Sequence, residues 1–402
     1  MQTQTLTATT VELDVLLHAI AAQLHGPQAG QLTTLGVGLG LGGSILFNCH
    51  YAAYTGQTEY YTLAQEQLEQ VLGQLNPGSY KSDFGTNYYQ ELAELGNLIC
   101  HLIRNGHLEW DAERLLGQFD TILDQRLRYL LEQKNLERIN GAVGIGTYFL
   151  RRVQHSEKAR QTMDMMLEAL QDQREGNEET GYYWVCRQIV EPRVYTGLAH
   201  GSALVINFLT SLYEVGFRQA ECAVLMHYAI KFLLNTRLDP QQYLSSFPLW
   251  RGKQDRTNNL SLPYGDLGTA YAILRAADAL GNLEYWAEAA AIALRTTHRT
   301  SLPDTYLHDA SIFYGVSGAH LVYAAFYQRT GLAEFNAAAR YWLEQIPARA
   351  NQPNEYLNFS SFFFQHPTAQ VGFNLGLTGI GLTLLQALSG GTYALDEFIW
   401  LA

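Results

Sequence analysis

The sequence predicts an all-α fold, an α/α toroid (barrel) of about seven helical hairpins with an inner and an outer ring of helices. Two observations carry the prediction. A glycine-containing turn followed by a helix of small apolar residues recurs along the chain, and each such helix is followed by a second, more polar one.

Taken in order, the first copy is "GLGLGGSILFNCHYAAYTG" from Gly38. A weaker copy lies in "SDFGTNYYQELAELGNLICHLIRNG", where the glycine pattern has decayed. Then come "NGAVGIGTYFL" from Asn140, "GLAHGSALVINFLTSLYEVG" from Gly197 and "YGDLGTAYAILRAADALG" from Tyr264. The last two are "YGVSGAHLVYAAFYQRTG" from Tyr314 and "LGLTGIGLTLLQALSGG" from Leu375. The clearest copies lie roughly 50 to 65 residues apart, room for a helical hairpin and a connection. In the copy from Tyr264, the residues Ala270, Ile273, Ala277 and Leu280 fall on a single helical face. The partner helices read "FRQAECAVLMHYAIKFLLN" after Gly216, "EYWAEAAAIALRTT" after Gly281 and "AEFNAAARYWLEQI" after Gly331.

Helices that crowd a common axis need Gly and Ala to approach closely, which accounts for the small residues of the inner set. An open solenoid is the alternative, with shorter, more uniform repeats and no need for inner helices apolar on two faces. No Pro/Gly/Ser-rich linker divides the chain, so one domain over residues 1–402 is expected. The longest irregular connection, "LDPQQYLSSFPLWRGKQDRTNN" at 238–259, is expected over one mouth of the barrel.

Composition narrows the function classes. The 402 residues, 47% hydrophobic and 12% aromatic, suffice for a large core. The net charge of -12 and the lack of a basic run argue against a nucleic-acid partner. The opening "MQTQTLTATTVELDVLL" has neither a basic region nor a long apolar one, so a cytoplasmic chain without a transmembrane segment is expected. Cys49, Cys100, Cys186 and Cys222 form no CxxC pair, and reduced thiols are expected.

The ordered strings "INGAVGIG", "GLAHGSA", "LPYGDLGTAYAI", "FYGVSGAHLVY" and "LGLTGIGLTLLQAL" resemble the lanthionine synthetase C family, the LanC-like cyclases of lanthipeptide biosynthesis, over nearly the whole chain. The resemblance implies an α/α toroid that adds a peptide cysteine thiol to a dehydroalanine or dehydrobutyrine, closing a thioether ring. In that family a zinc ion binds the thiol and lowers its pKa, and three protein ligands leave a fourth position open for substrate. One ligand is the cysteine of a Trp-Cys-Tyr-Gly string, and the other two form Cys-His-Gly. Here the strings read Leu262, Pro263, Tyr264, Gly265 and Phe313, Tyr314, Gly315. The ligand positions implied by the resemblance thus hold Pro263, Phe313 and Tyr314, two residues without a donor atom and a phenol that ordinarily ionises near about pH 10. No zinc cofactor is expected. Two other Cys-His dipeptides, Cys49-His50 and Cys100-His101, fall inside predicted helices, where adjacent side chains diverge by about 100° and do not face one metal.

His200 falls on the family histidine that acts as acid or base, and Glu137, in "LERING", stands where the family usually has aspartate. The resemblance makes them the expected catalytic pair, the imidazole moving a proton near neutral pH and the carboxylate orienting it. A turn residue is the other reading of His200, and an exposed helix or turn residue that of Glu137. Tyr264 and Asp266 are retained, Asn259 replaces an arginine frequent in the family, and Tyr314 stands at a ligand position. These four are the expected substrate-binding residues, with a helix cap as the other reading of Asp266.

Three functions stay open from the sequence. The first is a zinc-independent cyclase. The second is a non-catalytic pseudo-cyclase that binds a precursor peptide or assembles with a dehydratase or other modifying enzyme. The third is glycoside chemistry on the same kind of barrel, with Glu137 and Asp266 as the carboxylates and Phe247, Trp250, Tyr356, Phe362, Phe363 and Phe364 stacking on sugar.

Overall fold

The computed structural model describes residues 8–26, 32, 34–78, 80, 86–189, 191–253, 259–363, 366–393 and 395–402. Phe364, residues 254–258 of the long connection and residues 82–85 of the decayed copy lie outside the described residues. From the N-terminus the helices are α1 (Ala8–Leu24), α2 (Leu41–Thr55), α3 (Glu59–Gly73), α4 (Tyr88–Arg104), α5 (Glu113–Glu132), α6 (Ala142–Arg152) and α7 (Glu157–Gln173). A short antiparallel hairpin, β1 (Glu175–Asn177) and β2 (Gly181–Tyr183), follows. The remaining helices are α8 (Ser202–Glu214), α9 (Gln219–Asn235), α10 (Asp266–Leu280), α11 (Leu283–Thr296), α12 (Leu302–Thr305), α13 (Val316–Thr330), α14 (Ala333–Glu344) and α15 (Leu377–Leu388).

The glycine strings are turns that deliver the chain into buried helices. The first amide of the helix reaches back to a carbonyl of the preceding loop: Leu41 to Thr34 at 3.0 Å, Ala142 to Asn135 at 2.9 Å, Ser202 to Tyr195 at 3.1 Å, Val316 to Asp309 at 2.9 Å and Leu377 to Gln370 at 3.1 Å. This closure needs a glycine at the N-cap, because a Cβ on Gly315 would lie 2.3 Å from the Asp309 carbonyl oxygen. The second glycine of the string is tighter still, since a Cβ on Gly318 would lie 1.8 Å from the Ile312 oxygen. In the decayed copy the N-cap of α4 is Asn87 instead, whose side chain accepts the Gln90 amide.

Two compact units make up the chain. One comprises residues 1–80 and 307–399 and holds the hairpins α2–α3 and α13–α14, with α15 packed on α1, α2 and α13. The other comprises residues 81–306 and 400–402 and holds the hairpins α4–α5, α6–α7, α8–α9 and α10–α11; in it α6 packs on α4 and α8, and α8 on α10.

The first helix of each hairpin is far more buried than a single apolar face requires. Every residue of α10 from Asp266 to Ala277 is buried, although the periodicity marks only the face of Ala270, Ile273 and Ala277, and Leu280 is half-buried. The reason is that α8 and α11 both cover it, and a helix enclosed on several sides loses the polar stripe that makes periodicity visible. Its partner α11 is amphipathic, burying Tyr285, Ala289, Ile292 and Ala293 among polar neighbours. The β-hairpin departs from a purely helical expectation. The Asn177 side chain accepts the amides of Glu179 and Thr180, closing the turn, and β2 lies on α9 with the Tyr183 ring 4.8 Å from that of Phe232. Among the described residues no helix is long and apolar enough to cross a membrane.

Candidate active site

Within the second unit, the N-terminal ends of α6, α8 and α10 carry three of the residues singled out in the sequence. His200 immediately precedes Gly201, the N-cap of α8, and Tyr264 immediately precedes Gly265, the N-cap of α10. The two loops are joined by a bond from the Ala199 amide to the Pro263 carbonyl at 3.2 Å, so neighbouring copies of one turn present their side chains together. Glu137 lies in the turn before α6, its amide donating to Asn135 Oδ1 at 3.1 Å.

These placements bring Glu137, His200 and Tyr264 into one hydrogen-bonded chain. Glu137 Oε2 bonds His200 Nδ1, and His200 Nε2 bonds the Tyr264 hydroxyl at 2.9 Å. Glu137 is 7% exposed, which rules out the reading of it as an exposed turn residue. With a carboxylate on Nδ1, the proton of a neutral ring sits on Nδ1, Nε2 accepts, and the phenol donates to it. The imidazole is also flanked by the edge of Tyr195 at 5.4 Å between ring centroids.

Cys186 joins the chain from its other end. Its thiol donates to Glu137 Oε1 at 2.8 Å, and burial, then the charge of Glu137, pushes the thiol up to about 12. Nothing local in the sequence marks this residue, since it lies in an irregular segment after β2. What places it is the backbone bridge to Arg193, with both amide-to-carbonyl bonds at 2.9 Å.

The other expected site residues have different surroundings. Asp266 is 1% exposed; its carboxylate accepts the amides of Ser246 (2.9 Å) and Phe247 (3.1 Å) and pairs with Arg299 at 3.3 Å. It does not cap α10, because Gly265 occupies the cap position, and it holds the long connection against the start of that helix. Burial pushes its carboxyl up to about 6, against the opposing pull of Arg299. Asn259 is a turn residue whose side chain accepts the Ser261 amide at 2.8 Å. Beyond Phe247 the connection pairs with the 193–196 segment: the Arg251 amide donates to Val194 at 2.8 Å, and Tyr195 bridges Trp250. Arg193 lies over the Trp250 ring at 4.0 Å and Lys253 at 4.5 Å.

In the first unit, Tyr314 precedes the N-cap of α13 and stacks on Phe363, with ring centroids 4.7 Å apart. Phe313 is buried, and in the second unit so is Pro263. The three positions at which the resemblance implies zinc ligands hold a pyrrolidine, a benzyl group and a stacked phenol, side chains whose donor chemistry does not fit a zinc ion. Among the described residues no group of three or more His, Cys, Asp and Glu could hold a metal. Cys49 and His50 lie within α2, and Cys100 and His101 within α4. The two carboxylates of the glycoside reading are both committed, Glu137 to His200 and Cys186, Asp266 to Arg299 and the 246–247 amides.

The structure superposes on "Nisin cyclase" with a TM-score of 0.74, covering 97% of each chain at 15% sequence identity, and this likeness shows the fold, the α/α-toroid class expected from the repeats. A weaker likeness, "Structure of Cellobiose 2-Epimerase from Bacillus thermoamylovorans B4167", has a TM-score of 0.46 at 13% identity, covers 94% of this chain and 100% of that one, and carries no argument. No curated protein matches. The family model "Lanthionine synthetase C-like protein" matches residues 33–399, and the chain belongs to that family.

Proposed function

We propose that this chain modifies a ribosomal precursor peptide, closing thioether rings by adding a cysteine thiol to a dehydroalanine or dehydrobutyrine without a resident metal ion. The single observation behind the proposal is the Glu137–His200–Tyr264 chain, its carboxylate buried and its imidazole and phenol half-buried, at the glycine turns of a lanthionine synthetase C-like fold. In the forward reaction the Tyr264 oxygen takes the thiol proton as its own proton passes to His200 Nε2, and Glu137 stabilises the imidazolium. Sulfur bonds to the β-carbon and the alkene pair moves onto the carbonyl as an enolate. The proton then returns by the same route to the α-carbon, so the reaction is a net addition with nothing left over. Holding thiol and alkene together supplies what thiol activation by a metal would otherwise give. A location in the cytoplasm and a dehydratase that supplies the substrate accord with this chemistry.

The test is a synthetic peptide carrying one dehydroalanine and one cysteine, with ring closure read as loss of alkylatable thiol. The wild-type chain consumes the thiol, and His200→Gln slows it about a hundredfold. Equal rates for the two proteins rule the mechanism out. Elemental analysis of tag-free protein gives the metal content independently, and one tightly held zinc per chain would overturn the metal-free reading.

A second reading, a non-catalytic peptide-binding protein, is favoured by one observation, the replacement of every family ligand by Pro263, Phe313 and Tyr314. Calorimetry showing tight peptide binding with no thiol consumed would select it.

A further inference from the structure

We infer that Cys186 is a positioning residue for proton transfer, its thiol fixing the carboxylate of Glu137 so that His200 keeps the tautomer with Nε2 as acceptor. The inference rests on the reading of His200 as the proton-transfer group.

Glu137 is held in few ways. Its backbone is fixed in the turn before α6, where a Cβ on Gly141 would lie 2.3 Å from the Glu137 nitrogen. Its side chain, however, is long enough to rotate either oxygen away from the ring. At the far oxygen sits the Cys186 thiol, 2.8 Å from Oε1. That sulfur has a single rotatable bond, and its own backbone is clamped on both sides by Arg193. The donor is therefore stationary and the carboxylate aligns to it. Burial, with the charge of Glu137, pushes the thiol up to about 12, so at neutral pH it is protonated and can only be the donor of this pair.

With Oε1 taken, Oε2 faces His200 Nδ1 and keeps the ring proton there, which leaves Nε2 free to accept from Tyr264. The ionisable groups facing the ring are Glu137, Tyr264 and Tyr195, with Cys186 behind Glu137. Removing the thiol leaves Oε1 without its donor, concentrating the carboxylate charge on the imidazole and letting Glu137 swing.

The experiment is NMR of the full chain labelled in histidine, with the His200 signals assigned by their loss in His200→Gln. In Cys186→Ala the preference for the tautomer protonated at Nδ1 is expected to be lost or clearly weakened. In Cys186→Ser, which keeps a donor, that preference stays close to wild type. An unchanged tautomer in a folded Cys186→Ala overturns the inference, leaving the cysteine a packing residue. Should that variant not fold, the S–H stretch of the folded wild type decides. A stretch lowered by hydrogen bonding and released in Glu137→Ala, which removes the acceptor, supports the inference, and a stretch at the unbonded frequency overturns it. Both readouts are independent of turnover, so a failure of the cyclase reading in the peptide assay is separable from a failure here.

Discussion

Glu137 and His200, 63 positions apart in the chain, share a hydrogen bond between carboxylate and imidazole that Cys186 flanks on one side and Tyr264 on the other. Two substitutions test how the proton travels along this array. Glu137→Gln keeps the shape but removes the charge beside the imidazole, and Tyr264→Phe removes the phenol bonded to His200 Nε2. Each is expected to lower kcat for ring closure by about a hundredfold, and Glu137→Gln, behind the imidazole, to do so with little change in KM. Steady-state kinetics on the dehydroalanine peptide check this. A Tyr264→Phe enzyme with wild-type kcat would mean that His200 meets the thiol directly.

A second prediction concerns stability alone. Asp120, 4% exposed at its side chain, accepts from Tyr148 Oη at 2.6 Å and Ser156 Oγ at 2.7 Å and pairs with the buried Arg152 at 3.3 Å. The other carboxylate on Arg152, Glu113, is 61% exposed. Asp120→Ala strands a buried guanidinium with only that solvated partner and is expected to cost about 3–5 kcal/mol. Glu113→Gln, at the wet end of the same arginine, is expected to cost about 1 kcal/mol or less. Urea unfolding of the two variants gives the comparison, and equal losses would contradict the buried-charge argument.

How much of this was legible in the sequence depends on whether the signal is local. The turns into the first helices of the hairpins are local, each closed within one string of glycines, and so the repeat revealed the hairpins; only α4, capped by Asn87, broke the pattern. Burial of α10 on all its sides was not legible as a face, because enclosure by α8 and α11 erases the alternation of polar and apolar positions. Glu137 and His200 were found through resemblance to a family, whereas Cys186 was not, its place being set by a backbone bridge to Arg193 that no short pattern announces. The reading of Asp266 as a helix cap fails for a physical reason. An aspartate before an apolar run reads as a cap, but the close approach of the Asn259 carbonyl, 2.7 Å from where a Cβ on Gly265 would stand, reserves the cap position for glycine. The carboxylate is thereby directed toward Arg299 and the 246–247 amides, partners distant in sequence.

That placement gives Asp266 a pH dependence of definite sign. Burial raises its carboxyl to about 6 from 3.8, so the native chain binds the proton more tightly than the unfolded one. Its contribution to stability is therefore fully present below about pH 4 and is lost as pH rises through about 6, by at most about 3 kcal/mol. Glu113 acts in the opposite sense, its carboxyl being lowered by the hydrogen bond from Arg152, and its contribution is lost only as pH falls below the ordinary glutamate range. The unfolding free energy of the wild type, taken relative to Asp266→Asn, should thus fall steadily as pH rises from 4 through 6. A gap independent of pH across that interval would show that Arg299 and the amides fully offset burial.

The last prediction separates two glycines that composition cannot tell apart. Gly318 and Gly117 both lie within helices at backbone angles any residue can adopt, so by helix propensity alone alanine should stabilise either site by about 1 kcal/mol. Gly117, on the exposed face of α5, has nothing within 4 Å of a new Cβ, and Gly117→Ala is expected to give that gain. At Gly318 the new Cβ would stand 1.8 Å from the carbonyl oxygen of Ile312, a backbone atom in the turn that leads into α13. Relief requires moving either the helix or the loop that carries Phe313 and Tyr314, and the Phe313 amide is itself bonded to the Asn374 carbonyl at 3.3 Å. Displacing one turn therefore strains the next, and Gly318→Ala is expected to lose about 3 kcal/mol or more despite its better helix former. Opposite signs of the shift in melting temperature for the two variants would support the view that the repeated glycines exist to let a loop carbonyl rest on a helix. A stabilised Gly318→Ala would show that the turn yields, and that Gly318 has some other origin.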